Sequence, residues 1–372
     1  GPDLSASLSD ISVNHAQLFP FVLKFADVDV ERLHIQSSRT LAISAYASDF
    51  DVTDLTINDV TPLRNQNFDN LRNYYEDVLV DDLEGLAGYF GQALLALGGS
   101  SVSVTRANIT EVTEVGIWAK DEGTTVSVSD FYIADVEESL QEVGVGLWAD
   151  TGARISAERG LIERCATDGV YARDEGTEIE LVDIAIRDLA ADQFEEPEVE
   201  IEEVEDVGEV EENEEVENAL VQGKGRGVAI DEGASVEAQR MSVERTRTAG
   251  VWLVGAGVSG VLIDVTVSET SHGGISRTGS GVVVATGAQA SVERGHISQS
   301  TVAGVWVQGS ISEVEAVELL DGLEELEEVQ MTTAVLSNVS IERTRVGHFT
   351  GKRGNGIHVT HGGKAEVSNA NV

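Results

Sequence analysis

Residues Gly227 to Arg245 read GVAIDEGASVEAQRMSVER, and most of the chain can be aligned with this stretch. The pattern returns as GLWADTGARISAERGLIER from Gly146 and as GVVVATGAQASVERGHISQ from Gly281, and a looser copy, GGKAEVSNANV, occupies 362–372. Each copy has a short alternating apolar run, a glycine turn and further short apolar runs. Such repetition indicates a repeat architecture, in which each unit is one coil.

The spacing of the copies predicts the fold. The coils begin at Leu41, Ala93, Gly116, Gly146, Gly169, Gly227, Gly250, Gly281, Gly304 and Gly356. The shorter coils have 23 residues and the others are longer. A 23-residue unit with three apolar runs is too short for a β-α-β crossover and too rich in β-formers for helical repeats. We therefore predict an all-β chain, a right-handed parallel β-helix solenoid of about eleven coils, forming one domain over 1–372.

Apolar alternation predicts which side chains point into the β-helix. In the organising stretch these are Val228, Ile230, Val236, Ala238, Met241 and Val243, and the same positions in other coils are small or apolar. Equivalent runs in a parallel β-helix stack about 4.8 Å apart, so these positions would form continuous apolar columns.

The extra residues of the longer coils form insertions, at about 58–92, 134–145, 187–226, 268–280, 309–332 and 346–355. Insertions on one side of a solenoid commonly form its binding side. The segment Glu195–Glu217 contains 14 acidic residues and no basic one. Such a tract is usually solvated or disordered, although the Val and Ile residues within it also allow an ordered arm.

A column of charges marks the bend between the second and third runs. Acidic residues occupy it in the longer coils and arginines in the shorter ones: Asp54, Arg106, Asp130, Arg159, Asp183, Arg240, Asp264 and Arg294, followed by Asn338 and Asn369. Opposite charges on neighbouring strands attract. We predict a structural ladder that fixes the register of the coils.

The composition restricts the partners. The chain has 66 acidic and 24 basic residues and a net charge of -42, which argues against nucleic acid and anionic membranes as partners. The single cysteine, Cys165, excludes an internal disulfide framework. No stretch approaches the roughly 18 apolar residues of a membrane helix, and no signal peptide is recognisable.

One outward position of the first run carries aromatic residues in five coils: Trp118, Trp148, Tyr171, Trp252 and Trp306. Exposed aromatic rings suit sugar rings or protein anchors, so these are the candidate ligand-binding residues. Alternatively, the insertions fold back and cover the rings, which we favour because large exposed apolar patches are uncommon.

Metal and catalytic sites have little support in the sequence. Acidic pairs such as Asp81–Asp82 and Glu202–Glu203 offer the oxygen ligands that calcium prefers. No calcium-binding loop motif accompanies them, so a solvated surface is the favoured interpretation and calcium the only cofactor candidate. The outward positions of the second and third runs contain no convergent set of acids and bases, and we predict no catalytic residue.

The repeat G-[VIL]-W-[AVL] … G-A-x-[VI] … [VI]-E-R resembles the parallel β-helix repeats of the pectate-lyase-like superfamily. That superfamily contains lyases and hydrolases as well as tailspikes, adhesins and non-catalytic surface proteins, and fold alone does not give function. The resemblance implies an extracellular or bacterial cell-surface location.

Two functions remain open. The preferred hypothesis is a non-catalytic, adhesin-like scaffold that binds a polysaccharide or a protein at an edge where acidic insertions adjoin the aromatic column. The alternative is a polysaccharide-active lyase or hydrolase.

Overall fold

A computed structural model describes residues 4–16, 20–62, 91–189, 224–271, 279–309, 331–344 and 355–372. Over these residues the regular structure consists of strands, without a helix, and the strands pair in parallel. This arrangement confirms the all-β, parallel β-helix fold. The number of coils remains a prediction.

The strands are numbered in chain order. They are β1 (Leu4–Leu8), β2 (Ile11–Asn14), β3 (Phe21–Lys24), β4 (Ala26–Val30), β5 (Leu33–Arg39), β6 (Leu41–Tyr46), β7 (Asp49–Thr61), β8 (Gln92–Leu97), β9 (Ser101–Thr113), β10 (Val115–Lys120), β11 (Thr125–Glu137), β12 (Val145–Asp150), β13 (Arg154–Cys165), β14 (Asp168–Ala172), β15 (Glu178–Arg187), β16 (Arg226–Ile230), β17 (Ser235–Gln239), β18 (Ser242–Glu244), β19 (Ala249–Val254), β20 (Ser259–Ile263), β21 (Thr266–Ser268), β22 (Ser280–Ala285), β23 (Gln289–Glu293), β24 (His296–Ser298), β25 (Ala303–Gln308), β26 (Thr333–Ser337), β27 (Ser340–Glu342), β28 (Asn355–Thr360) and β29 (Lys364–Ser368).

Two parallel sheets enclose the core. Sheet 1 has 11 strands, formed by the first run of each coil, in the order β28-β25-β22-β19-β16-β14-β12-β10-β8-β6-β3. The second and third runs form sheet 2, which has 18 strands. In the longest strands, such as β11 and β13, the second run continues through the bend into the third. The coils therefore follow the three-run pattern of the sequence.

The core is a stack of equivalent inward side chains. Val228 pairs in register with Val170 of the preceding coil and with Val251 of the next. All six inward residues predicted in the organising stretch are buried in one apolar cluster that follows the β-helix. Each coil thus covers the apolar face of its neighbour, which is how repeat proteins obtain stability that one coil could not have.

One inward position depends on the preceding coil. Gly160 lies in register beside Phe131, and a β-carbon on Gly160 would come within 2.1 Å of the Phe131 ring. Phe131 itself is only 4% exposed. The aromatic ring therefore occupies the space that the side chain of residue 160 would need.

The bend between the second and third runs has left-handed backbone geometry. Arg106, Asp130 and Arg159 have φ angles of 60°, 54° and 53°, and the remaining members of the charge column also have positive φ. This conformation is unfavourable for residues with a side chain, and aspartate and asparagine tolerate it best. The predicted charge column is therefore also the column of left-handed bends.

Within that column the charges associate two by two. Arg159 donates from Nε to Asp130 Oδ1 over 2.7 Å and from Nη2 to Asp130 Oδ2 over 3.0 Å. Three further pairs have the same geometry, Asp54–Arg106, Asp183–Arg240 and Asp264–Arg294. In each pair the arginine contacts the aspartate of the preceding coil. The side chains thus join pairs of coils.

Most of the predicted insertions lie largely outside the described residues, as do Asp81, Asp82, Glu202, Glu203 and the tract 195–217. The segment predicted at 134–145 is described. There β11 continues to Glu137, and the loop comprises 138–144 before β12 begins. Among the described residues there is no helix with the length and apolar character of a membrane span.

Candidate functional site

The outer face of sheet 1 is enclosed. In β12 every residue is buried, although only Leu147 and Ala149 belong to the inner core. Val145 and Trp148 belong to a second apolar cluster on the outer face. By contrast, β17 of sheet 2 alternates between buried and more exposed residues. Parallel strands buried on both faces are typical of sheets covered on both sides, so this outer face is a protected environment for polar groups.

The structure brings the predicted aromatic column together on this face. Trp118 and Trp148 stack with ring centroids 4.7 Å apart, and Tyr171 meets Trp148 edge-on at 5.4 Å. Trp118, Trp148 and Trp252 are 3% exposed or less, whereas Tyr171 and Trp306 are half-buried. Tyr171 and Trp306 are therefore the more exposed members of the column. Ligand binding by the column remains a prediction.

A gap interrupts the aromatic column at Ala229, which lies in register between Tyr171 and Trp252. The guanidinium group of Arg226 lies over both rings, 5.9 Å from the centroid of Tyr171 and 5.8 Å from that of Trp252. Such cation–π contacts are favourable, more so away from water. The arginine thus takes the place of the missing ring.

Asp168 holds this arginine. Arg226 donates from Nε to Asp168 Oδ1 over 2.7 Å and from Nη2 to Asp168 Oδ2 over 2.8 Å. The two side chains are only 12% and 5% exposed. A bidentate pair of this kind fixes the plane of the guanidinium as well as its position.

Beside the arginine, the Tyr171 hydroxyl donates a hydrogen bond to Asp231 Oδ2 over 3.0 Å. Burial raises the pKa of Tyr171, so the phenol keeps its proton at neutral pH. Burial also raises the pKa of Asp231 to about 6, although Arg226 and the Tyr171 hydrogen bond oppose that rise. The site therefore combines a protonated hydroxyl with a carboxyl group that gains or loses its proton near neutral pH, as general acid–base chemistry requires.

A row of alternating charges ends the first run in four consecutive coils: Lys120, Asp150, Arg173 and Asp231. Asp150 lies in register with Lys120, and backbone hydrogen bonds from Arg173 to Ala149 and from Asp231 to Ala172 extend the row. Opposite charges at strand spacing attract, so the row is electrostatically consistent.

Asp150 is the most enclosed member of this row. Its carboxylate is fully buried, 3.6 Å from Lys120 Nζ and 3.5 Å from Arg173 Nη2. Burial raises the pKa of Asp150, opposed by the two cations. Among the described residues, Asp150 Oδ2 and Arg173 Nε have no hydrogen-bond partner. Arg173 Nε lies 3.9 Å from Asp174 Oδ2, which is an ion-pair distance longer than a hydrogen bond.

The polar part of this site was not predicted from the sequence. The sequence-based candidates for acids and bases came from the second and third runs, and the candidates from the first run were aromatic residues alone. The available signal was the alternating charge at the last position of that run, from Lys120 to Asp231. For metals, no group of three or more His, Cys, Asp or Glu residues in the described part of the chain could hold an ion.

No protein-family model matches the sequence, and no curated protein matches it. Solved structures do resemble the fold. A periplasmic alginate epimerase has 8% identity and a TM-score of 0.45 over 98% of this chain and 77% of that chain. A mannuronic acid-specific polysaccharide family 6 lyase from human gut microbiota has 10% identity and a TM-score of 0.49 over 95% and 77%. The catalytic domain of a GH87 α-1,3-glucanase has 8% identity and a TM-score of 0.41 over 99% and 64%.

The preferred functional hypothesis, a non-catalytic scaffold, is corrected because its premise fails. The non-catalytic scaffold hypothesis depends on the absence of an acid–base pair, whereas Tyr171 and Asp231 form such a pair on sheet 1. The three solved structures above are, by their descriptions, enzymes that act on polysaccharides. At these identities the likeness establishes the fold, and any activity has to be argued from the residues of this chain.

Proposed function

We propose that the protein is a polysaccharide-active enzyme that cleaves glycosidic linkages by elimination at the outer face of sheet 1. The observation that supports this most directly is the hydrogen bond between the half-buried Tyr171 and Asp231. Elimination needs one group that removes a proton and another that protonates the leaving oxygen, and a pair in direct contact is too close for the separated carboxyl groups of glycoside hydrolysis.

The two residues divide these tasks. The Asp231 carboxylate removes a proton from a sugar carbon. Tyr171 gives its hydroxyl proton to the glycosidic oxygen as the carbon–oxygen bond breaks. Afterwards the proton on Asp231 returns to the phenolate through the hydrogen bond that joins them, and both groups regain their starting states. The raised pKa of Asp231, about 6, makes that carboxylate a better base than an ordinary aspartate.

Binding of the sugar chain uses the groups around this pair. The half-buried Tyr171 and Trp306 offer ring faces or edges on which a sugar can pack. The Arg173 side chain is 34% exposed, and its guanidinium offers positive charge to a hydroxyl or carboxylate oxygen of the substrate. The proposal makes a polysaccharide the partner and places the enzyme outside the cytoplasm.

The test is incubation of the purified protein with alginate, polygalacturonate and α-1,3-glucan. Elimination would produce new reducing ends and ultraviolet-absorbing unsaturated products, whereas hydrolysis would produce new reducing ends alone. We expect Tyr171→Phe and Asp231→Asn each to lower the rate by a factor of about 100 or more. Asp183→Asn is the matched control, because it removes a carboxylate from the same part of the β-helix at the opposite sheet's bend.

Absence of turnover on all three polymers would count against this function. Turnover that survives in Asp231→Asn would place the chemistry elsewhere on the molecule.

A further inference from the structure

The pair formed by Asp168 and Arg226 lies next to the acid–base pair without belonging to it. Arg226 contacts Tyr171 and Trp252 through its guanidinium plane, while both of its outer hydrogen bonds go to Asp168. The gap at Ala229 is what gives the guanidinium room between the two rings.

We propose that Asp168 is a positioning residue of the candidate site: it holds the Arg226 guanidinium in the gap over Ala229 and so sets the positive charge that acts on the Tyr171–Asp231 pair. No hydrogen bond joins Asp168 to either member of that pair among the described residues, so Asp168 acts through the position of Arg226 and through its own negative charge. Its catalytic significance rests on the proposed function, but its effect on Asp231 does not.

A comparison with an equivalent pair supports a specific role. Asp183 and Arg240 join the same two coils with the same bidentate geometry, at 2.5 and 2.8 Å, but both are substantially exposed. Holding two coils together therefore does not require a buried pair. Burial of an ion pair costs free energy unless both partners are fully hydrogen-bonded. The buried Asp168–Arg226 pair therefore indicates a role beyond the joining of coils.

The charges around Asp231 fix the direction of the effect. Arg226 lowers the pKa of Asp231, whereas Glu232 and Asp168 raise it. On the preceding coil the neighbour in the charged row is Arg173, and on the next coil the equivalent position is Val254, which is uncharged. Loss of Asp168 removes a negative charge and leaves Arg226 without its carboxylate partner. Both changes favour the ionised form of Asp231.

The experiment is an NMR titration of the Asp231 carboxyl group in the full chain, assigned with Asp231→Asn, without any substrate. In Asp168→Asn we expect the midpoint to fall by about one pH unit or more. In Asp183→Asn, the matched control, it should stay at the wild-type value. In Asp168→Glu, which restores a carboxylate for Arg226, it should return toward that value.

A second variant covers the case in which Asp168→Asn does not fold. The double variant Asp168→Asn/Arg226→Gln removes both charges of the buried ion pair together. Its Asp231 midpoint should rise, because Arg226 lowers the pKa of Asp231 by more than Asp168 raises it. An unchanged midpoint in the double variant, or an unchanged or raised midpoint in Asp168→Asn, would overturn the proposal. Because no turnover is measured, an inactive protein would disprove the proposed function and leave this result intact.

Discussion

Tyr171 Oη and Asp231 Oδ2 lie 3.0 Å apart, although 60 positions separate the two residues in the sequence. They are neighbours because β14 and β16 pair directly, with Tyr171 in register with Ala229 and Ala172 with Ile230. The contact places an aspartate with a pKa of about 6 against a half-buried phenol. The stability of the protein should therefore depend on the ionisation of this one carboxyl group.

The first prediction concerns that dependence. The pKa of Asp231 is about 6 when folded, against 3.8 as the ordinary value. Between these two values the folded protein binds a proton that the unfolded chain has lost. The free energy of unfolding contributed by Asp231 is therefore largest at low pH and is lost as the pH rises through 6.

Asp231→Asn removes this fall in the free energy of unfolding, because asparagine does not titrate. The free energy of unfolding of Asp231→Asn minus that of the wild type should be larger at pH 7.5 than at pH 5, by about 1 kcal/mol, as measured by urea denaturation. Asp183→Asn provides the contrast, since Arg240 lowers the pKa of Asp183 and the stability from Asp183 is retained at both pH values. The same difference in both variants would refute the assignment.

The second prediction concerns the bend column. Arg159→Ala should lower the melting temperature, because it removes both hydrogen bonds to Asp130 and leaves residue 159 in the left-handed region. Arg159→Gly loses the same hydrogen bonds but adopts that backbone conformation freely, so it should melt at a higher temperature than Arg159→Ala. If both variants have the melting temperature of the wild type, neither the ion pair nor the backbone geometry at this bend contributes to stability.

The third prediction uses the contact between Gly160 and Phe131. Gly160→Ala should destabilise the protein by about 2 kcal/mol, because its β-carbon would overlap the ring of Phe131. Phe131→Leu alone should also destabilise, by leaving a cavity. The double variant should be more stable than the sum of the two effects implies, because the smaller leucine makes room for the alanine. Simple additivity in chemical denaturation would show that the two positions do not share this space.

The fourth prediction concerns tryptophan fluorescence. Trp118, Trp148 and Trp252 are nearly inaccessible, and Trp306 is half-buried. The emission should therefore be blue-shifted, and small polar quenchers should reach only a minor fraction of it. Trp306→Phe should remove most of the quenchable part, whereas Trp118→Phe should leave it unchanged. Strong quenching that persists in Trp306→Phe would mean that the column is open in solution.

The sequence by itself determined the coil pattern. Val228 and Ile230 could be assigned to the core because alternation along a strand fixes which face a side chain joins, and the repeat then superposes equivalent positions. The charge column that includes Asp130 and Arg159 was visible for the same reason. Its left-handed backbone was not predicted, because a residue type restricts φ only weakly outside glycine and proline.

The tertiary structure alone decided the site. Asp168 and Arg226 are 58 positions apart. Each precedes a predicted coil start, Gly169 or Gly227, so the repeat places them in neighbouring coils, but no local pattern specifies that both side chains are buried. Alternation also predicts that Asp150, Tyr171 and Asp231 point outward, but it does not say whether water reaches that face. Burial of the outer face raises the pKa of these groups, because the charged form loses its hydration. Enclosure of sheet 1 on both faces therefore turned an ordinary row of surface charges into a candidate acid–base site.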